Sequence, residues 1–70
     1  MIYRRIRDLR EDSDLTQENI AKHLNISQRS YSYYESGKRE IPVSVFSALA
    51  DFYGTSVDYL MGRTDRKDPY

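Results

Sequence analysis

The sequence contains no cysteine. No disulfide can close the chain, and no thiolate metal site can form. For a chain of 70 residues this is a demanding absence, because a domain so small lies near the lower limit at which an apolar core holds by itself. Stability must come from helix or sheet packing, with or without a partner subunit. A cysteine-free chain is also compatible with a reducing cytoplasm. Long apolar runs are missing as well, and nothing approaches the roughly 18 residues of a membrane span. The opening residues, MIYRRIRDLR, are basic but have no apolar stretch behind them, so they do not read as a signal peptide. A soluble, cytoplasmic domain is the expectation.

Net charge is absent too: 11 basic side chains face 11 acidic ones. That weighs mildly against a nucleic-acid partner, whose phosphates are met by Lys and Arg. The distribution matters more than the total. Residues 1–10 carry Arg4, Arg5, Arg7 and Arg10 against Asp8. Residues 11–18 carry Glu11, Asp12, Asp14 and Glu18 with no base, and residues 28–39 carry Arg29, Lys38 and Arg39 against Glu35 alone. Sorting of this kind leaves room for a basic face on a neutral protein.

What is present is helical periodicity. Ile2, Ile6 and Leu9 fall on one stripe of a first helix, and the acidic EDSD at 11–14 reads as its end and a turn. Thr16 is a suitable N-cap, with Glu18 in the favourable first turn. Leu15 before the cap and Ile20 four residues into the helix have the spacing of a hydrophobic staple. Ile20, Ala21 and Leu24 give this second helix its apolar face. Asn25 tolerates the left-handed backbone that often ends a helix. Ser27 then offers a new cap, and Ile26 with Tyr31 repeats the staple. Two helices started in the same way and separated by three or four turn residues are the sequence form of a helix-turn-helix.

Glycine is scarce, and each of the three follows an expected helix. Gly37 ends the third. Pro42 is tolerated in the first turn of a fourth, whose apolar face is Val43, Phe46, Leu49, Ala50 and Tyr53, and Gly54 stops it. Ser56 caps a short fifth helix with Val57, Leu60 and Met61 inward or at a contact surface, and Gly62 ends it. The tail RTDRKDPY has little to bury. No alternating strand, internal repeat or low-complexity tract appears. The expected fold is all-α, a compact five-helix bundle over residues 1–62 followed by a flexible tail at 63–70.

The third helix, within SQRSYSYYESGKR at 27–39, holds three tyrosines with different prospects. At about 100° per residue, Tyr31 and Tyr34 share one sector of the helix. They should pack inward with their hydroxyls at the edge of the core. Gln28, Arg29, Ser32 and Tyr33 occupy roughly the opposite half. This outer face is hydrogen-bond-capable and free of acid, which suits base edges and phosphates. A plain solvated helix more often carries Glu and Lys there as pairs.

These segments resemble the Xre-like family of helix-turn-helix domains, of the Cro and phage-repressor type. The resemblance rests on IRDLR at 6–10, LTQENIA at 15–21, ISQ at 26–28, YESGKR at 34–39, Pro42 and SVDYLMG at 56–62, in order and over most of the chain. It implies a lambda-repressor-like fold of five helices whose second and third form the DNA-reading unit. Carried over position by position, it implies a DNA-binding set of Gln17, Gln28, Arg29, Ser30, Ser32, Tyr33, Lys38 and Arg39. Among these Gln17 meets phosphate, Gln28 and Arg29 read bases at the start of helix 3 (about 28–36), and Lys38 and Arg39 touch the backbone. It further implies a charged pair, Arg10 with Glu35, tying helix 1 to helix 3. The chain departs from the family in placing Asn25 where Gly is usual and Tyr31 where a smaller residue is common. Tyr33 is an unusual reader, suited to a thymine methyl or a phosphate.

Catalysis is not expected, since no nucleophile, base and orienter can be assembled. No cofactor and no metal are expected either. The acids Glu11, Asp12 and Asp14 lack the alternating calcium loop and its closing glutamate, and the single His23 reads as surface. Two function classes remain. One is sequence-specific binding of double-stranded DNA by a small transcriptional regulator, a repressor, acting as a homodimer on a palindromic operator. Its dimer surface is expected in the C-terminal third, where Phe52, Val57, Tyr59 and Met61, with Tyr53, exceed the needs of one small core. The alternative is a protein-binding helical module, such as an antitoxin-like or anti-regulator subunit.

Overall fold

Three hydroxyls set where helices begin. In the computed structural model of the protein, which describes residues 2–68, Thr16 Oγ1 accepts the Asn19 amide at 3.1 Å, and Asn19 Oδ1 accepts the Thr16 amide at 3.1 Å. The reciprocal box opens α2, Gln17–His23. Ser27 Oγ accepts the Ser30 amide at 3.1 Å and opens α3, Gln28–Ser36. Ser56 Oγ accepts the Tyr59 amide at 3.0 Å and opens α5, Val57–Leu60. Each such bond satisfies a backbone donor that has no partner inside the helix, an effect worth about 1 kcal/mol. The remaining helices, α1 at Arg4–Asp12 and α4 at Val43–Tyr53, start without a side-chain cap. No strand occurs among the described residues.

Helix ends follow the same local logic. Asn25 lies at φ 60° between α2 and α3, where the chain must reverse within four residues. Gly37 and Gly54 close α3 and α4 in the left-handed conformation. Pro42 stands at the N-cap of α4 rather than inside its first turn.

The core is built from the inner stripes of all five helices. Ile6 and Leu9 come from α1, Ile20 and Ala21 from α2, Tyr31 from α3, Phe46, Leu49 and Ala50 from α4, and Leu60 from α5. A fully buried side chain of Ile or Leu size contributes about 1.5–3 kcal/mol. The Cα radius of gyration is 11.0 Å, close to the roughly 11 Å of a single compact domain of this length. Helix α2 packs chiefly on α3, and α4 on α5.

Two stripe assignments are corrected. Ile2 precedes α1 and is 64% exposed, and Val43 is 76% exposed. Periodicity had placed both inward. Each lies at or before the first residue of its helix, where the stripe runs past the neighbouring layer. Val43 instead edges an apolar groove. Residues 63–68, expected as a loose tail, contain no helix but make specific bonds. Arg5 donates to the carbonyls of Tyr59 (2.9 Å) and Thr64 and pairs with Asp65 at 2.7 Å. The Thr55 hydroxyl donates to the Lys67 carbonyl. Positions 69 and 70 of that tail, like position 1, lie outside the described residues.

The left-handed turn at Asn25 yields a stability prediction. An Asn25→Ala variant should lose about 1 kcal/mol, because alanine has no local compensation for that backbone. Its melting midpoint by circular dichroism should fall by about 4–8 °C. Asn25→Gly, which relieves the turn but frees the unfolded chain, should stay within a few tenths of a kcal/mol of the parent.

Candidate nucleic-acid interface

Helix α3 divides its residues sharply between two faces. Tyr31 is fully buried and Tyr34 nearly so, while Gln28 and Arg29 are exposed and Ser32 and Tyr33 half-exposed. The outer half of the helix thus carries an amide, a guanidinium, a hydroxyl and a phenol. Ser30 is half-exposed, and its hydroxyl lies 3.0 Å from the Ser27 hydroxyl. It therefore closes the cap as well as edging the surface. Past Gly37 the chain folds back, and the exposed Lys38 and Arg39 stand beside Tyr33. Lys38 Nζ and the Arg39 guanidinium carbon are each 5.5 Å from the centre of its ring.

The single acid of α3 is turned away from this face. Glu35 is buried and forms a two-pronged ion pair with Arg10 of α1, Nε to Oε2 and Nη2 to Oε1, both 2.9 Å. The side chains are 12% and 7% exposed. The third guanidinium nitrogen, Nη1, donates to the Leu15 carbonyl at 2.8 Å. Gln17 of α2 donates through Nε2 to Glu35 Oε1 at 3.3 Å. One amide hydrogen of Gln17 is held in this way and the other is left to donate. Three helices thus meet on one carboxylate, and Gln17 and Ser32 edge a polar notch above it together with Arg7 and Ser36.

Burial pushes the Glu35 carboxyl up, but the bond from Arg10, the approach of the Tyr31 hydroxyl, the bond from Gln17 and the charge of Arg10 outweigh it, so the group titrates below its ordinary 4.5. Arg10 is raised by its bond to Glu35, against an opposing cost of burial. Burial, reinforced by Glu35, also drives the Tyr31 hydroxyl far above 10.0. That hydroxyl is enclosed without a partner of good hydrogen-bond geometry, and its link to Glu35 is a loose one. The Tyr53 hydroxyl, likewise enclosed, is pushed up to about 12, chiefly by burial. Both phenols stay neutral near pH 7.

The residues read as a dimer surface are dispersed. Val57 and Met61 line a mostly apolar groove of about 260 Å³ with Tyr3, Ile41, Val43 and Phe46, and Glu40 stands at its edge. Tyr59 lies beneath Arg5, whose guanidinium carbon is 4.1 Å from its ring centre. Phe52 stacks on His23 of α2, ring centres 4.3 Å apart. His23 is exposed, but its ring contact with Phe52 went unread in the sequence. Also unread were Arg5 as an anchor for residues 59–65 and Asn19 as the partner closing the Thr16 cap. A box signature calls for Glu or Gln at that position, yet Asn performs the same exchange.

Comparison with known proteins finds a matching family. The helix-turn-helix family model matches residues 6–60. The chain is 39% identical over 69 residues to the uncharacterized HTH-type transcriptional regulator YobD of Bacillus subtilis, covering 99% of this chain and 62% of YobD. It is 32% identical over 65 residues to the cryptic phage CTXphi transcriptional repressor RstR of Vibrio cholerae, covering 93% and 59%. With the HTH-type transcriptional regulator ImmR of B. subtilis it shares 31% identity over 62 residues, covering 89% and 49%. All three are named for regulation rather than catalysis. The chain spans about half to three-fifths of the length of these curated relatives. No solved structure matches it significantly.

The ion pair makes a prediction with two readouts. Glu35→Gln leaves a buried guanidinium without its counter-charge and should cost about 3 kcal/mol, a large share of a stability on the order of 5 kcal/mol. Because the folded carboxyl titrates below 4.5, its contribution is complete above the unfolded value. It is lost as pH falls through the folded one. Melting temperatures taken on acidification below pH 4.5 should therefore fall more steeply for the parent than for Glu35→Gln.

Proposed function

The chain belongs to the helix-turn-helix family of the Xre and Cro-repressor type, and on that premise we propose that it binds duplex DNA sequence-specifically as a small transcriptional repressor. One observation carries this reading: the exposed face of α3 bears Gln28, Arg29, Ser32 and Tyr33 and no acid, because Glu35 is turned inward onto Arg10. A neutral protein thereby offers a polyanion a helix face free of acid, flanked by Lys38 and Arg39 and edged by Glu18 beside Gln28 and by Glu40 in the following loop. In this reading α3 enters the major groove, where its first turn brings Gln28 and Arg29 to base edges. Gln17 donates its remaining amide hydrogen to a phosphate, Ser30 and Ser32 line the groove wall, and Lys38 and Arg39 meet the backbone. Repression then requires only that the operator be occupied. The same reading puts the protein in the cytoplasm, where its proposed DNA target would be met.

Recognition by one such helix covers few base pairs, so we infer a two-fold pair of domains on half-sites about 34 Å apart. The apolar groove lined by Val43, Val57 and Met61 supports a second copy as its occupant. Phe52 and Tyr59 already stack within the chain and contribute less to that surface.

Site selection from a random duplex library, followed by anisotropy titrations, tests the readout. Gln28→Ala and Arg29→Ala should each cost about 1–3 kcal/mol on the selected site and relax preference at particular base pairs. Lys38→Ala should weaken every duplex alike and flatten the dependence on salt. Unaltered site selection by both α3 variants would remove α3 from the reading role. A protein that bound no duplex but captured a helical protein partner would favour the alternative module.

Assembly has its own measurement. Sedimentation of the protein with a selected duplex should show two chains per duplex, and the selected site should contain an inverted repeat. One chain on a high-affinity duplex would exclude the pair.

A further inference from the structure

Tyr33 is tied to the basic loop by more than proximity. Its carbonyl accepts the Arg39 amide at 3.3 Å and the Ser36 hydroxyl at 3.3 Å. Between them Gly37, at φ 82°, folds the chain back along the helix end. The ring of the same tyrosine then lies 5.5 Å from both Lys38 Nζ and the Arg39 guanidinium carbon. Both distances fall within the roughly 6 Å over which an aromatic face attracts a cation. Two neighbouring cations with no acid between them repel, and their long side chains carry much rotamer freedom. A shared aromatic ring offsets the repulsion and restricts both side chains before any ligand arrives.

We propose that Tyr33 is a positioning residue, whose ring gathers Lys38 and Arg39 and presents them together to one stretch of phosphate backbone. Its contribution is then to affinity for all duplexes and not to the choice of bases. This rests on α3 being the DNA-facing helix. It assigns Tyr33 a different task from Gln28 and Arg29 on the same face. The aromatic ring is what matters, so Phe should serve and an aliphatic residue of similar bulk should not.

The clasp is visible in the free protein. Proton NMR should show upfield ring-current shifts on the Lys38 and Arg39 side-chain methylenes, retained in Tyr33→Phe and lost in Tyr33→Leu. Anisotropy titrations of selected and random duplexes, at low and at physiological salt, then test the consequence. Tyr33→Leu should weaken both duplexes by a common factor of about 3- to 10-fold, from the ordering that must now occur on binding. Tyr33→Phe should restore the affinity. In a Lys38→Ala/Arg39→Ala background, Tyr33→Leu should have no further effect, since its action passes through those two side chains. Three results overturn the assignment while leaving α3 as the DNA-facing helix: absent ring-current shifts in the parent, a loss confined to the selected site, or an undiminished loss in the background lacking both cations. Failure of the parent to bind any duplex overturns the DNA-facing reading and the assignment with it.

Discussion

The fork between Arg10 and Glu35 is the interaction on which the surrounding structure depends. It joins α1 to α3 through two bonds of 2.9 Å, fixes the carbonyl of Leu15 at the entry to α2, and holds the side chain of Gln17. A carboxylate so enclosed is costly to bury, and only a nearly full set of partners makes it tolerable. The guanidinium supplies two of its five hydrogens in the geometry that a carboxylate prefers. Because one group is shared among three helices, the angle between α2 and α3 cannot change without breaking a charge-assisted bond. An apolar contact of the same area would allow sliding, and this one does not.

The same fork reconciles a neutral composition with the DNA-facing surface proposed for α3. A net charge of zero is unpromising for a surface that meets phosphates. Charge is summed over the whole chain, however, while a ligand meets a face. Glu35 is the only acid between residues 28 and 39, and it is inside. Of the acids at 11–18, Glu11 and Asp12 end α1 and Asp14 lies in the turn, while Glu18 stands in the first turn of α2, where it suits the helix N-terminus and edges a notch beside Gln28. What remains on the outer side of α3 and in the loop after it is Arg29, Lys38 and Arg39, with the exposed Glu40 as the one acid. The pair therefore acts twice, once on stability and once by keeping an anion off the outer face of α3.

Much of this was legible in the sequence wherever the cause was local. Thr16, Ser27 and Ser56 act on an amide three residues away, and Asn25, Gly37 and Gly54 act on their own backbone, so residue type alone identified them. The division of α3 was legible as well, since a helix of known pitch settles which residues share a side. Depth was not legible. Ile2 and Val43 sit on inward stripes, but at helix starts with no layer above them, and periodicity gives direction without reach. Long-range pairing was equally hidden. Arg5 reaches partners 54 to 60 residues away, and nothing near it in the chain marks them. Arg10 and Glu35, 25 residues apart, were paired only through the family resemblance. The excess of apolar residues after position 50 was visible too, but its division between His23, Arg5 and the groove depended on tertiary neighbours.

Tyr31, Tyr33 and Tyr34 show how one residue type takes different roles within a single turn of helix. At Tyr31 the ring is entirely enclosed and the hydroxyl faces Glu35 loosely, so a phenol fills core volume while placing a weak donor near a buried anion. Phenylalanine would fill the same space but remove that donor, and the Glu35 carboxylate would rely more heavily on Arg10 and Gln17. Tyr34, in the same sector and 9% exposed, seals the edge of the same layer. Between them in sequence, Tyr33 lies about 100° from Tyr34, and that rotation is enough to bring its ring out of the core and beneath two cations. Side-chain chemistry is constant across the three, and the surroundings differ. In one case the ring excludes water, in the next its π-face attracts charge. A substitution scale that scores tyrosine by type would treat these positions alike. The helical pitch, acting on a core only one layer deep, is what separates them.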